Sequence, residues 1–124
     1  DLWTGHAGHT FQNFEHIKPI LAKYGAQATF HQGDSAVTVP LIQGKFDLIL
    51  VDGDHNWEAA STDMSNAWPL LRIGGLMVID DVDHHSYPGV GEAFFEFMRG
   101  MEGEAVLIEE EGRPFRNCAI ITKR

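Results

Sequence analysis

Phe46-Asp-Leu-Ile-Leu-Val-Asp-Gly-Asp-His55 and, starting 19 residues after its histidine, Gly74-Gly-Leu-Met-Val-Ile-Asp-Asp81 decide the reading of this chain. Each is an apolar run that stops abruptly in acid: Asp52, Asp54 and His55 after the first, Asp80 and Asp81 after the second. Near-continuous apolar runs of this length suit strands covered on both faces. One helix-length segment lies between them, so the pair reads as strand–helix–strand. The two strands of such a unit run parallel, and their acidic ends emerge at the same edge of the sheet. That edge is where open α/β sheets bind ligands. Carboxylates gathered there beside a histidine suit a cation, a cofactor or proton transfer.

Composition narrows the classes. With 124 residues the chain is one domain at most, large enough for a core but short for a nucleotide-type α/β fold. A hydrophobic share of 44% with 22% charged residues is that of a soluble globular protein. The net charge of −9 argues against nucleic acid and anionic membrane surfaces as partners, since both need basic patches. Cys118 is the single cysteine, so no intrachain disulfide forms, and its apolar neighbours suggest a small buried residue. No apolar stretch reaches membrane-spanning length and none resembles a signal peptide, which makes a cytoplasmic location the expectation. The opening Asp-Leu-Trp, in place of methionine, suggests a missing upstream segment.

The remaining elements follow from periodicity. Leu2-Trp3 reads as the tail of a strand running into a Gly/His loop. Thr10 is a candidate cap for a helix with Phe11, Phe14, Ile17, Leu21 and Tyr24 on one face and Gly25 at its exit. Pro19 predicts a kink or break in that helix, because an interior proline costs about 3 kcal/mol. Ala28 to His31 reads as a short strand ending in Gly33-Asp34-Ser35. Asn56 caps a second long helix with Trp57, Ala60, Met64, Trp68 and Leu71 inward, closed by Gly74-Gly75. Ser86 and Pro88 open a third, carrying Val90, Phe94, Phe97 and Met101 on its inner face. Ala105 to Ile108 and Cys118 to Thr122 form a closing antiparallel hairpin.

Taken in order, Asp1-Leu-Trp3, Gly33-Asp-Ser35, the Asp52-Gly-Asp-His55 turn and Leu70-Leu-Arg-Ile-Gly-Gly-Leu-Met-Val-Ile-Asp-Asp81 resemble a class I S-adenosylmethionine-dependent methyltransferase. The likeness is nearest to small-molecule O-methyltransferases with an Asp-Gly-Asp-His turn after the fourth strand. It spans nearly the whole chain as one partial domain, residues 1–124. The fold it implies is α/β: a Rossmann-like, mostly parallel doubly wound sheet with a C-terminal antiparallel hairpin, its first strand and helix absent. The family's glycine-rich turn belongs before Asp1, about 20 residues upstream. Its absence implies a fragment of a longer chain, prone to weak cofactor binding and to association through open sheet edges.

The resemblance also assigns residues. Asp1 would accept hydrogen bonds from the ribose hydroxyls of S-adenosylmethionine; Gly33, Asp34 and Ser35 would meet its adenine edge. Gly-Asp-Ser is equally an ordinary turn and helix cap. Asp52, Asp80 and Asp81 would hold Mg²⁺, an ion that suits oxygen-rich sites and keeps waters an acceptor hydroxyl can replace. Adjacent strand residues point to opposite faces, so Asp80 and Asp81 can share an ion only if the chain turns there. His55 would be the general base, working with Asp52. His84 and His85 stand in the loop that would line an acceptor pocket, and are equally read as exposed loop residues.

The function implied is methylation of a small hydroxylated acceptor, a sugar or secondary metabolite, with Mg²⁺ assistance. No nucleic-acid or membrane partner is expected; a homo-oligomer is compatible with the open edges. Two alternatives stand beside it. Asp34, the Asp52–His55 turn and Asp83-His-His85 also suit a metal-dependent hydrolase or phosphoesterase. A non-catalytic fragment keeping part of a fold is the other.

Overall fold

A computed structural model describes residues 12–25, 27–101, 103–109 and 117–124. The order is α1 (Gln12–Lys23), α2 (Ser35–Thr38) running into a 3₁₀ turn (Val39–Leu41), β1 (Phe46–Val51), α3 (Trp57–Ala67), a second 3₁₀ turn (Trp68–Leu70), β2 (Leu71–Ile79), α4 (Gly89–Arg99), β3 (Gly103–Glu109) and β4 (Asn117–Lys123). The described strands form one mixed sheet in the order β1-β2-β4-β3. The strand–helix–strand unit supplies the parallel pair, with Leu48 against Leu76 and Val51 against Ile79. The hairpin supplies the antiparallel ones, β4 pairing with both β2 and β3.

Alternation along the strands decides which face carries the core. Met77, Ile79, Ala119 and Ile121 are fully buried, and with Val51 they pack against Ala60, Met64 and Ala67 of α3 and Val90, Ala93 and Phe94 of α4. The register puts Leu48, Leu50, Leu76, Val106 and Ile108 on the opposite face, and all five are exposed. Lys45 and Lys123 close the far end of the sheet: Lys45 Nζ donates to Pro69 O, and Lys123 Nζ donates to Trp68 O at 2.7 Å and Leu71 O at 3.0 Å. Trp68 O also accepts the Leu71 amide that closes the 3₁₀ turn, and Lys123 lies over the Trp68 ring.

Several local expectations are corrected. α1 runs without a break through Pro19 to Lys23, and Gly25 follows it at φ 65°. The proposed Thr10 cap and the Leu2-Trp3 strand lie outside the described residues. The segment 28–31 is not a strand; it joins no ladder of the described sheet, and an extended run becomes a strand only when an edge lies beside it. Gly74-Gly75 does not precede β2 but sits inside it. Phe46 pairs with Leu71 and Leu48 already with Leu76, so the residues between bulge out, and Gly74 takes φ 79°. Trp57, read as a core position, is 44% exposed and donates from Nε1 to Glu96 across to α4.

Candidate active site

The parallel pairing brings the two acidic strand ends together. Asp80 N donates to Val51 O at 3.1 Å, so the last residue of β1 and the first after β2 are joined directly. Asp52, Asp54, His55, Asp63 and Asp80 then share one small cavity of about 10 Å³ under the turn. Asn56 caps α3 as its sequence suggests, its Oδ1 accepting from Ala59 N at 2.9 Å, and Asp54 Oδ1 accepts from Asn56 N at 3.0 Å. These two bonds fix where His55 leaves the backbone.

The chain does turn after Asp80. Asp81 has φ 56°, in the left-handed region that Asp tolerates better than most side chains. Its N–H is taken by Asp80 Oδ1 at 3.0 Å. The turn swings the Asp81 carboxylate across to His55, Oδ2 to Nε2 at 2.7 Å. Both side chains keep some access to solvent, 33% for His55 and 23% for Asp81. A carboxylate accepts and cannot donate when ionised, so Nε2 carries the proton, and in the neutral imidazole Nδ1 then keeps its lone pair.

Tyr87, which sequence reasoning passed over, and the loop residues His84 and His85, which it named, complete the surroundings. Tyr87 lies with its ring centroid 5.1 Å from that of His55, and His84 lies 4.9 Å from Tyr87. His84 and His85 stack at 5.3 Å with 21° between planes, so the loop after β2 sets its rings beside His55. Two glycines make that possible. A Cβ on Gly89 would fall 2.7 Å from His55 O, and one on Gly91 would fall 2.4 Å from Val82 O. The signal was present as Gly-x-Gly directly after Pro88, but spacing alone does not say which backbone comes close.

Of the predicted cofactor residues, Asp1 lies outside the described residues. Gly33 has φ 142°, and a Cβ there would meet Thr38 Cγ2 at 3.0 Å. Asp34 caps α2 through Oδ1, 2.9 Å from Ala36 N. Asp34 and Ser35 line a cavity of about 250 Å³ with Asn56 and Asp63. Ser35 also opens onto a groove of about 340 Å³ along β1 that reaches Asp52, with Leu48 and Leu50 in its wall. Two predicted regions, the Gly33–Ser35 turn and the Asp52–His55 turn, therefore border one connected depression. The proposed cation ligands are less well matched: among the described residues no three His, Cys, Asp or Glu side chains are grouped so as to hold a metal ion. Asp81 Oδ2 is turned to His55 and Asp80 Oδ1 to the Asp81 amide, so one oxygen of each is already engaged.

A family profile described as a methyltransferase domain matches residues 1–82, about two thirds of the chain. The chain belongs to this methyltransferase-domain family. No curated protein matches its sequence. Solved structures share its fold. The O-methyltransferase NovP aligns with a TM-score of 0.66 at 20% identity, over 88% of this chain and 44% of that one. The O-methyltransferase TomG from Streptomyces achromogenes, involved in tomaymycin synthesis and solved with S-adenosylmethionine, gives 0.67 at 20% identity, over 90% and 57%. An rRNA methylase from Streptococcus thermophilus gives 0.70 at 12%, over 92% and 69%. The chain thus spans about half the length of the two O-methyltransferases. No described helix is long and apolar enough to cross a membrane.

Proposed function

We propose that this methyltransferase-family chain carries the catalytic turns of an S-adenosylmethionine-dependent O-methyltransferase acting on a small hydroxylated acceptor. The observation behind this reading is the His55–Asp81 contact of 2.7 Å at the carboxyl ends of two parallel strands. It supplies an imidazole whose Nδ1 is free to take a proton where such folds bind ligands. S-adenosylmethionine, when bound, supplies an electrophilic methyl on a positively charged sulfur. On the protein's side, Asp34 and Ser35 border the depression expected to hold the adenine, and Asp1 is assigned to the ribose hydroxyls. His55 Nδ1 accepts the hydroxyl proton as the acceptor oxygen forms its bond to the methyl carbon. The carbon–sulfur bond breaks with its electron pair passing to sulfur. Because the displacement is in line, holding both reactants at contact distance is the protein's main contribution.

The net charge of −9 supports a small neutral or cationic acceptor over RNA, although the shared fold alone does not discriminate, since rRNA methylases have it too. Family membership favours methyl transfer over the metal-dependent hydrolase that the same acids suggest. Mg²⁺ held by Asp52, Asp80 and Asp81 does not fit the donor geometry described, and no step is routed through it.

The test is transfer of tritiated methyl from S-adenosylmethionine to a panel of phenols and sugars. His55→Gln should lower kcat about a hundredfold or more, within the range expected for loss of a general base, with little change in donor binding. Full activity in His55→Gln would remove the base assignment. Turnover of nitrophenyl phosphate without methyl transfer would replace the reading with a hydrolase.

A further inference from the structure

We infer that Asp81 is the positioning residue of His55, acting as the acceptor that fixes its tautomer, and not a ligand to a divalent cation. The inference rests on the reading of His55 as the base. Four features of the geometry carry it. Asp81 is the one non-glycine residue at positive φ among those described, and that turn is what brings its carboxylate round to the imidazole. Its Oδ2 meets Nε2 at 2.7 Å, the length of a charge-assisted hydrogen bond. The turn is itself held from both sides: Asp80 Oδ1 takes the Asp81 amide at 3.0 Å, and Val82 N donates to Asn117 O at 3.0 Å. The ring it orients is packed against Tyr87, so the imidazole is constrained by an acceptor at one nitrogen and by an aromatic neighbour at its side.

Asp81 Oδ2 is already engaged by His55 and Asp80 Oδ1 by the Asp81 amide, which leaves a cation only the second oxygen of each carboxylate. Among the described residues no three acids, cysteines or histidines are grouped so as to hold one. As a positioning group, Asp81 keeps the proton on Nε2 and directs the Nδ1 lone pair outward. When Nδ1 takes a proton from a hydroxyl, the carboxylate faces the resulting imidazolium, and the charge stays on the imidazole.

The experiment uses the 124-residue chain with ¹⁵N-labelled histidine, reading the imidazole by long-range ¹H–¹⁵N correlation. His55 should show a protonated Nε2 protected from exchange and a bare Nδ1. Asp81→Gly removes the carboxylate while suiting φ 56°, and should abolish that protection with the amide fingerprint otherwise kept. Asp80→Asn retains an oxygen for the Asp81 amide, and should keep the His55 signal. Millimolar Mn²⁺, used alone as the probe, should leave it in place. In the methyl-transfer assay Asp81→Gly should lower kcat about a hundredfold at nearly constant KM. Selective broadening of Asp52, Asp80 and Asp81 by Mn²⁺ with loss of the Nε2 proton would overturn the inference, as would an unchanged His55 signal in Asp81→Gly. Absence of methyl transfer by the unaltered chain would instead remove the functional reading and leave the His55–Asp81 pair standing.

Discussion

Gly91→Ala should destabilise the protein even though it places a better helix former inside α4. By propensity alone the change would stabilise by about 1 kcal/mol, since glycine in a helix interior costs that much relative to alanine. Here the new methyl would lie 2.4 Å from Val82 O, a backbone atom that cannot rotate aside. Val82 is pinned further: its side chain is 4% exposed in the core, and its amide is bonded to Asn117 O. Relieving the overlap requires a displacement of about an ångström between the start of α4 and the loop after β2, and overpacking of this kind costs about 1–3 kcal/mol. The balance is a net loss of up to about 2 kcal/mol. Urea denaturation followed by circular dichroism measures it, with the midpoint falling and the slope unchanged. Ser65→Ala, on the exposed side of α3, controls for propensity. Because Val82 follows Asp81, the same variant should weaken the His55 Nε2 signal. A Gly91→Ala protein more stable than the parent would refute the close-approach argument and reduce Gly91 to a residue without a packing role.

Asp63 should be dispensable for stability. Its Oδ1 is buried with no hydrogen-bond partner among the described residues, so Asp63→Asn breaks no bond at that oxygen and removes a carboxylate charge, and should hold or raise stability by up to about 1 kcal/mol, read by the same denaturation. A loss above that would show a partner the carboxylate already satisfies. Lys123 bears on pH. Burial first and the neighbouring Lys45 second hold its ammonium below the ordinary 10.5, so the unfolded chain keeps this proton to higher pH than the folded one. Its contribution to stability therefore rises as pH climbs from the folded value towards 10.5. Lys45→Gln should shrink that rise in thermal melts at alkaline pH; an identical pH slope would dissociate the two lysines.

The alternation of apolar runs with acid made the parallel pair legible, because a strand–helix–strand unit has one favoured geometry. The caps at Asp34 and Asn56 and the closing hairpin were legible for a similar reason: each depends on residues close in sequence. The bulge at Gly74-Gly75 was not, since a glycine pair before an apolar run reads equally as a helix exit. Nor was the failure of 28–31 to join the sheet, which turns on whether an edge lies beside it.

At the site, the chain order of Asp52, His55, Asp80 and Asp81 determined that acids and an imidazole meet at one sheet edge, since both strands point the same way. What each carboxylate faces was left to the tertiary structure. A single left-handed residue sends Asp81 to His55, and two glycines let a loop close over the pair. Those choices depend on contacts between segments about 25 residues apart, 2.7 Å at the decisive point, and no local pattern in the sequence encodes a distance of that kind.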